Sequence, residues 1–455
     1  MSLKVIELND SAIRVGDAGG LLASSPGFAL IGNKGLTLGD AAEKQAHLHP
    51  TQSVNKFWQQ LSLEPLAHSM GEVRHFADLA YGHLLHLAEL TPLESDVILA
   101  VPGNFTAHQL SIILGLTRQC PFNTVGVVDA ALAAVIGKAR EAVVIHADVQ
   151  LHQVLLTRFV QQGDLLQRDS VIQIPGVGAQ NFADQIMQLA TNQFIQQCRF
   201  NPQHNAESEQ LLYNELPQVL QQSREQASSL LMTLKTASRQ YEAKLPTESL
   251  IRKLDGLYRK ITQQLQVLAG DDHCQLLISD RLSEYPGFLA ALGTQDRLDQ
   301  TDMNELTGNC LAVQAQLRSE GENFRVVTGL PFQQDAPSAS PAKAGNRAAV
   351  LDPPTHVLYE HCALPLGRVE INNHPSPNGS TVAAGRINLS IKGLPDYLGQ
   401  IERSGEQVYI ICGEAGATLN NERIAGKRQL ALGDRLRFGE RGQELSLILV
   451  RDEST

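Results

Sequence analysis

The sequence predicts an α/β protein with two similar lobes, followed by a small all-β domain. Three observations carry this. Strand-like and helix-like patterns alternate, the order strands-then-helices occurs twice, and a Pro- and Ala-rich stretch precedes a final series of short strands.

From Lys4 to Leu38 the short runs KVIEL, AIRVG and GFALI are separated by Gly, Asp and Ser, which predicts a meandering antiparallel sheet. Val73 to Leu90 carries apolar residues at helical spacing. The apolar strand VILAVP, the helical run TAHQLSIILGLTRQ, the strand NTVGVV and the helix DAALAAVIGKA come next. A second set of strands, AVVIHADV, QVLLTRFV and DSVIQI, gives way to a helical pattern from Asn181 to about Phe200. Two such rounds predict two lobes with a ligand cleft between them. From Glu207 to Leu268 amphipathic periodicity predicts a helical subdomain within 200–270, broken near MTLKTASRQYEAKLP by a hairpin. A coiled coil is the alternative there, but no strict heptad persists. The aperiodic DAPSASPAKAGNRAAVLDPP predicts a linker over 333–356, dividing a domain of 1–332 from one of 357–455. Beyond it RVEI, GRINLSI, QVYIICG, RLRFG and LSLILV predict an antiparallel β-sandwich.

With 48 acidic and 37 basic residues, a net charge of -11 and no Lys/Arg run, the chain is unsuited to a nucleic-acid partner. The six cysteines stand far apart without a Cys-x-x-Cys pair, so they read as buried thiols in a reducing compartment. The N-terminus enters a strand directly, without the layout of a signal peptide, and no apolar run approaches the length of a membrane span. A cytoplasmic location without a membrane partner is the expectation. His47 and His49 form a His-x-His pair on an expected strand, but no acid or cysteine cluster adjoins them, so no metal site is expected. Neither a Gly-x-Ser-x-Gly elbow nor a Walker loop occurs.

Five stretches resemble, in order, the ATPase domain of the DnaK-type heat-shock chaperones. LGDAAEKQAHLHPTQSV keeps Gly39, Ala42, Gln45 and Pro50 of one family segment. VILAVPGNFT (Val97 to Thr106) resembles its Val-x-Val-Pro-x-x-Phe strand end, and VVDAALAAVIG (Val127 to Gly137) its connecting helix. IPGVGAQNFADQI resembles its Gly-Gly-x-x-Phe-Asp turn through Gly176, Gly178, Phe182 and Asp184. LLISDRLSEYPGFLAAL (Leu276 to Leu292) resembles its adenosine-side strand, turn and helix. The resemblance implies two ribonuclease-H-like lobes of actin-like fold, whose cleft holds ATP and Mg²⁺ in the family.

The phosphate-gripping residues depart from that pattern. The first phosphate loop, Asp-x-Gly-Thr-Thr in the family, corresponds to Glu7-Leu8-Asn9-Asp10-Ser11. Asn9 has a side chain where glycine lets backbone amides approach phosphate, and Asp10 adds negative charge beside an anion. The second, Asp-x-Gly-Gly-Gly-Thr, corresponds to His146-Ala147-Asp148-Val149-Gln150-Leu151, and the adenosine-side Gly-Gly to Ser279-Asp280. The catalytic lysine segment has no counterpart after Phe57-Trp58. Gly176 and Gly178 would lie near the γ-phosphate, although a tight turn needing positive φ also explains them. Asp129 is either a cleft acid or the N-cap of DAALAAVIG.

Leu364 to Val450 resembles a forkhead-associated domain, through Gly367-Arg368 in LPLGR, Gly416, Asn420 and Ile424 in AGATLNNERI, and LALGDRLRFG. The resemblance implies phosphothreonine reading by Arg368 and Asn420, but Leu394 to Leu398 and Ala417 stand where the family has hydroxyl and imidazole groups. The sequence therefore predicts a non-catalytic, chaperone-like protein-binding scaffold or regulatory adaptor with protein partners and no cofactor. The alternatives are a working nucleotide-binding ATPase with ATP and Mg²⁺, for which Glu7 and Asp129 are the catalytic candidates, a phosphothreonine-peptide adaptor, and an actin-like assembly subunit.

Overall fold

The computed structural model describes residues 3–332 and 354–448, except 33–34, 67–72, 92, 94, 226, 271, 294–296, 320–323, 360–361, 374–380, 384, 390, 392, 405–406, 414, 420–421, 431–433 and 440–443. The chain divides into two compact units, Met1–Ser338 and Ala339–Thr455. Most of the expected linker lies outside the described residues.

The first unit grows from β1 (Lys4–Glu7), all four residues of which are buried. β2 (Ile13–Asp17) and β3 (Gly20–Ser25) continue it as the antiparallel meander that the sequence predicts. GFALI departs from that expectation. β4 (Ala29–Gly32) leaves the sheet and pairs with β5 (Gly35–Leu38) and β6 (Ser53–Val54), with the short α1 (Asp40–Glu43) between these two. α2 (Phe76–Leu90) starts later than the pattern from Val73 suggests, because the Asp78 carboxylate accepts the backbone N–H groups of Arg74 (2.8 Å) and His75 (3.4 Å) and fixes the first turn. β7 (Asp96–Val101), α3 (Ala107–Thr117), β8 (Asn123–Asp129) and α4 (Ala130–Val135) complete the round, with β7 parallel to β1 and β8 parallel to β7.

The second round repeats the first. β9 (Val143–Val149), β10 (Gln153–Gln162) and β11 (Leu165–Pro175) form an antiparallel meander. α5 (Ala179–Cys198) and α6 (Ala206–Arg224) precede a hairpin of β12 (Ser229–Lys235) and β13 (Gln240–Pro246), and α7 (Thr247–Ala269) closes this subdomain. The hairpin separates the two long helices, so no coiled coil runs through 200–270. β14 (Gln275–Ser279) then adds in parallel beside β9, and β15 (Leu298–Thr301) beside β14. The two sheets thus share strand order and direction, β3-β2-β1-β7-β8 and β11-β10-β9-β14-β15. α8 (Asp280–Ser283) follows β14 directly and α9 (Phe288–Ala291) comes after it. α10 (Met303–Ala312) and α11 (Gln314–Leu317) lead to β16 (Val326–Val327), which returns to β8, and β17 (Gly329–Pro331), which pairs with β11.

Each lobe has its own core, one around Ile6, Leu99, Phe57 and Trp58 and the other around Ile145, Phe182, Tyr258 and Phe288. A third core joins them: Leu132 and Val135 of α4 and Met303 and Leu306 of α10 pack with Val5 and Ile98 of the first sheet and Val144, Phe159 and Leu277 of the second. The second unit is all-β, with two six-stranded sheets around Val369, Ile401, Ile410, Leu436, Phe438 and Leu447. It is not purely antiparallel as expected. The strand Arg386–Leu389 pairs in parallel with Arg368–Asn373, because a hairpin with Thr381–Ala383 reverses the chain first.

Of the cysteines whose side chains are described, only Cys310 is buried, and burial pushes its thiol up to about 12. Cys120, Cys198, Cys274 and Cys412 are partly exposed, contrary to the expectation of buried thiols. They sit at element ends, where one side of the chain faces solvent.

Within the first lobe, the fully buried His83 is held between two polar groups. Trp58 Nε1–H donates to its Nδ1 (3.0 Å), so the ring proton sits on Nε2 and is donated to Ser25 Oγ (2.8 Å). Burial, with His86 nearby, holds His83 down at about 3. Unfolded His83 charges near its ordinary pKa while the folded residue resists, so this group removes stability as pH falls from about 6.5 toward 3. His83→Leu should cost about 1–3 kcal/mol at pH 7.5, by stranding the Trp58 donor and the Ser25 acceptor, and should also flatten stability between pH 6.5 and 3. Urea unfolding followed by fluorescence of Trp58, the sole tryptophan, measures both effects.

Candidate functional site

β1 and β9 lie at equivalent places in their sheets, and the segments that follow them face one another across the junction of the lobes. Glu7 ends β1. Its carboxylate is gripped at both oxygens by Arg281 of α8, at 2.8 and 2.6 Å, and Arg281 also donates to Ala12 O (2.8 Å). Both side chains are over nine-tenths buried. Burial works against the Arg281 charge, but Glu7 outweighs it and holds the guanidinium protonated well above its ordinary range. Two further ion pairs join the lobes, Arg14 with Asp280 (2.7 Å) and Arg168 of β11 with Asp129 (2.5 Å).

Beside this floor, residues 9–11 and 148–151 bind each other. Asn9 Nδ2 donates to Asp148 Oδ2 (2.8 Å) and to Val149 O (3.0 Å), and Ser11 Oγ donates to the same carbonyl (3.2 Å). Asp10 Oδ1 accepts the backbone N–H of Leu151 (2.8 Å). Asn104 donates to Gln150 Oε1 (3.1 Å), and His152 Nε2 lies 3.1 Å from Asn55 O. The Leu151 side chain packs with Phe28, Leu30 and Ala42 of the first lobe in a small apolar cluster. Burial raises Asp10 to about 6, against the lowering effect of the Leu151 amide.

The other predicted positions are held by local structure. His146 lies inside the second sheet with Nε2 3.1 Å from Thr301 Oγ1, and burial lowers its pKa. Ser279 caps α8 through Leu282 N (3.3 Å). Asp129 is both N-cap of α4, accepting Leu132 N (3.1 Å), and partner of Arg168. Gly176 has φ +73, as a tight turn requires, but Gly178 does not: its φ is -78. Gly178 is needed for space, since a Cβ there would come within 2.4 Å of the His152 backbone. His47 and His49 lie in turns after α1 and not on a strand, and His47 is engaged by α6.

Sequence reasoning singled out neither Arg281, Arg14 nor Asn104. The signal for Arg281 was an acid retained at Glu7 with a cation one residue beyond the quoted Ser279-Asp280. In the second unit Arg368 is 69% exposed with Glu370 at 3.8 Å, while Asn420 lies outside the described residues.

Between Glu7, Asp148, His146, Ser279, Thr301 and Arg281 remains a cavity of about 30 Å³, which is room for about one water molecule. Ligand sites take about 300–1,000 Å³. The Nε of Arg281, buried and unpartnered in the chain, lies among these residues and suits such a water. Among the described residues, no group of three His, Cys, Asp or Glu is placed to hold a metal ion, and no helix is long and apolar enough to cross a membrane. No protein-family model matches the chain, and no curated protein matches it.

Arg281→Met strands a buried carboxylate and should lower stability by about 3–5 kcal/mol, whereas Glu7→Gln combined with Arg281→Met should recover much of that loss in urea denaturation. Asp10 has the opposite pH sign to His83. Its raised pKa gives stability that is present below about 3.8 and lost as pH rises through about 6. Asp10→Asn should therefore match the wild type near pH 4 and exceed it by up to about 3 kcal/mol at pH 8.

Proposed function

We propose that the chain is a non-catalytic, protein-binding scaffold or regulatory adaptor, built on a two-lobed actin-like fold whose nucleotide cleft is filled by its own side chains. The matching strand order of the two sheets supports ribonuclease-H-like lobes, and with them the likeness to DnaK-type ATPase domains. The observation that carries the function is the buried Glu7–Arg281 pair, reinforced by Asn9–Asp148, at the junction where such a fold would hold phosphates. The chain itself supplies the cation and donors that bring the lobes together, so a nucleotide has neither space nor an unmet role there. The all-β second unit, in the reading offered here a degenerate forkhead-associated-like module, would provide a further protein-contact surface in a cytoplasmic assembly.

Titration of the full chain with ATP and Mg²⁺ in a calorimeter should give no heat of binding up to about millimolar ligand. Micromolar binding, or ATP turnover that disappears in Glu7→Ala, would overturn the reading in favour of a working ATPase.

A further inference from the structure

A second set of contacts joins α1 and the turn after it to α6. Tyr213 of α6 donates to Glu43 Oε1 (2.8 Å), His47 N donates to Gln210 Oε1 (2.8 Å), and Gln210 Nε2 donates to Glu43 O (3.2 Å). The His47 imidazole lies 3.5 Å from Glu209 and its centroid 4.9 Å from that of Tyr213. Two carboxylates therefore lie in contacts between the two rounds of elements: Glu43 against α6 and Asp10 against the Leu151 segment.

We propose that lobe closure is coupled to protons, so that mild acid tightens the junction between the first lobe and the α6 and Leu151 segments, and mild alkali loosens it. The coupling follows from what opening would do to each group. Asp10 is a buried and Glu43 a half-buried carboxylate, their hydrogen-bond partners are a backbone amide and a neutral hydroxyl, and opening returns both more fully to water. The groups facing Glu43 are Asp40 and Lys44 on its own segment and Tyr213 on α6. Tyr213 in turn faces Asp184 and Tyr285. Those facing Asp10 are Asp148 and Arg281. Burial raises both carboxyls, so the closed state binds their protons more tightly than the open one. Stabilisation of closure is then fullest in mild acid and is lost as pH rises through about 6. The proposal rests on these contacts and stands whether or not a nucleotide binds.

Hydrogen exchange of the full chain at pD 5.5 and 8.5, corrected for intrinsic rates, tests it. Amides of His47 and Leu151 should be about tenfold better protected at pD 5.5, while those of α7 around Tyr258 change little. In Asp10→Asn combined with Glu43→Gln, protection at pD 8.5 should approach the wild-type value at pD 5.5. Equal wild-type protection of His47 and Leu151 at both pD values overturns the proposal, as does a folded double variant that keeps the full wild-type pH dependence. If the double variant does not fold, the wild-type comparison decides alone.

Discussion

A carboxylate buried at the end of β1 must be neutralised from within the protein, and the arrangement of the first unit follows from that requirement. Glu7 cannot remain ionised in the interior without a partner, because the loss of hydration far exceeds what weak dipoles return. Arg281 supplies the charge. It reaches Glu7 only because β14 lies beside β9 and α8 follows β14 without an intervening loop. Pairing the two residues therefore fixes the distance between lobes that the chain builds separately.

The smaller contacts depend on that distance. Asn9 can satisfy Asp148 and Val149, and Asp10 can accept the Leu151 amide, only with the sheets this close. Leu151 packs with Phe28, Leu30 and Ala42. The junction combines charge, hydrogen bonds and apolar contact, and it borders the core that α4 and α10 build between the sheets. Such a site favours one closed geometry and leaves little room for a ligand.

Much of the architecture was legible because it is periodic. Alternation marked β1, β2 and β9 to β11, and the helical spacing of α5 survived with its ends moved by about two residues. Where reading failed, the cause was local chemistry or long-range pairing. Asp78 set the start of α2, β4 chose β5 and β6 over the meander, and Gly178 answers to the His152 backbone and not to its own φ. Of the positions singled out in the sequence, Asn9, Asp148, Ser279 and Asp280 border one small cavity. What they do there was not legible.

The sequence by itself determined the repeated strand-then-helix rounds and the all-β C-terminal region, because hydropathy period is a property of neighbouring residues. Only the tertiary structure decided that Glu7 meets Arg281, 274 positions along the chain, and that the segments after β1 and β9 bond to each other. Ion pairing and burial act through space, and no local pattern records which distant residue will neutralise a buried charge.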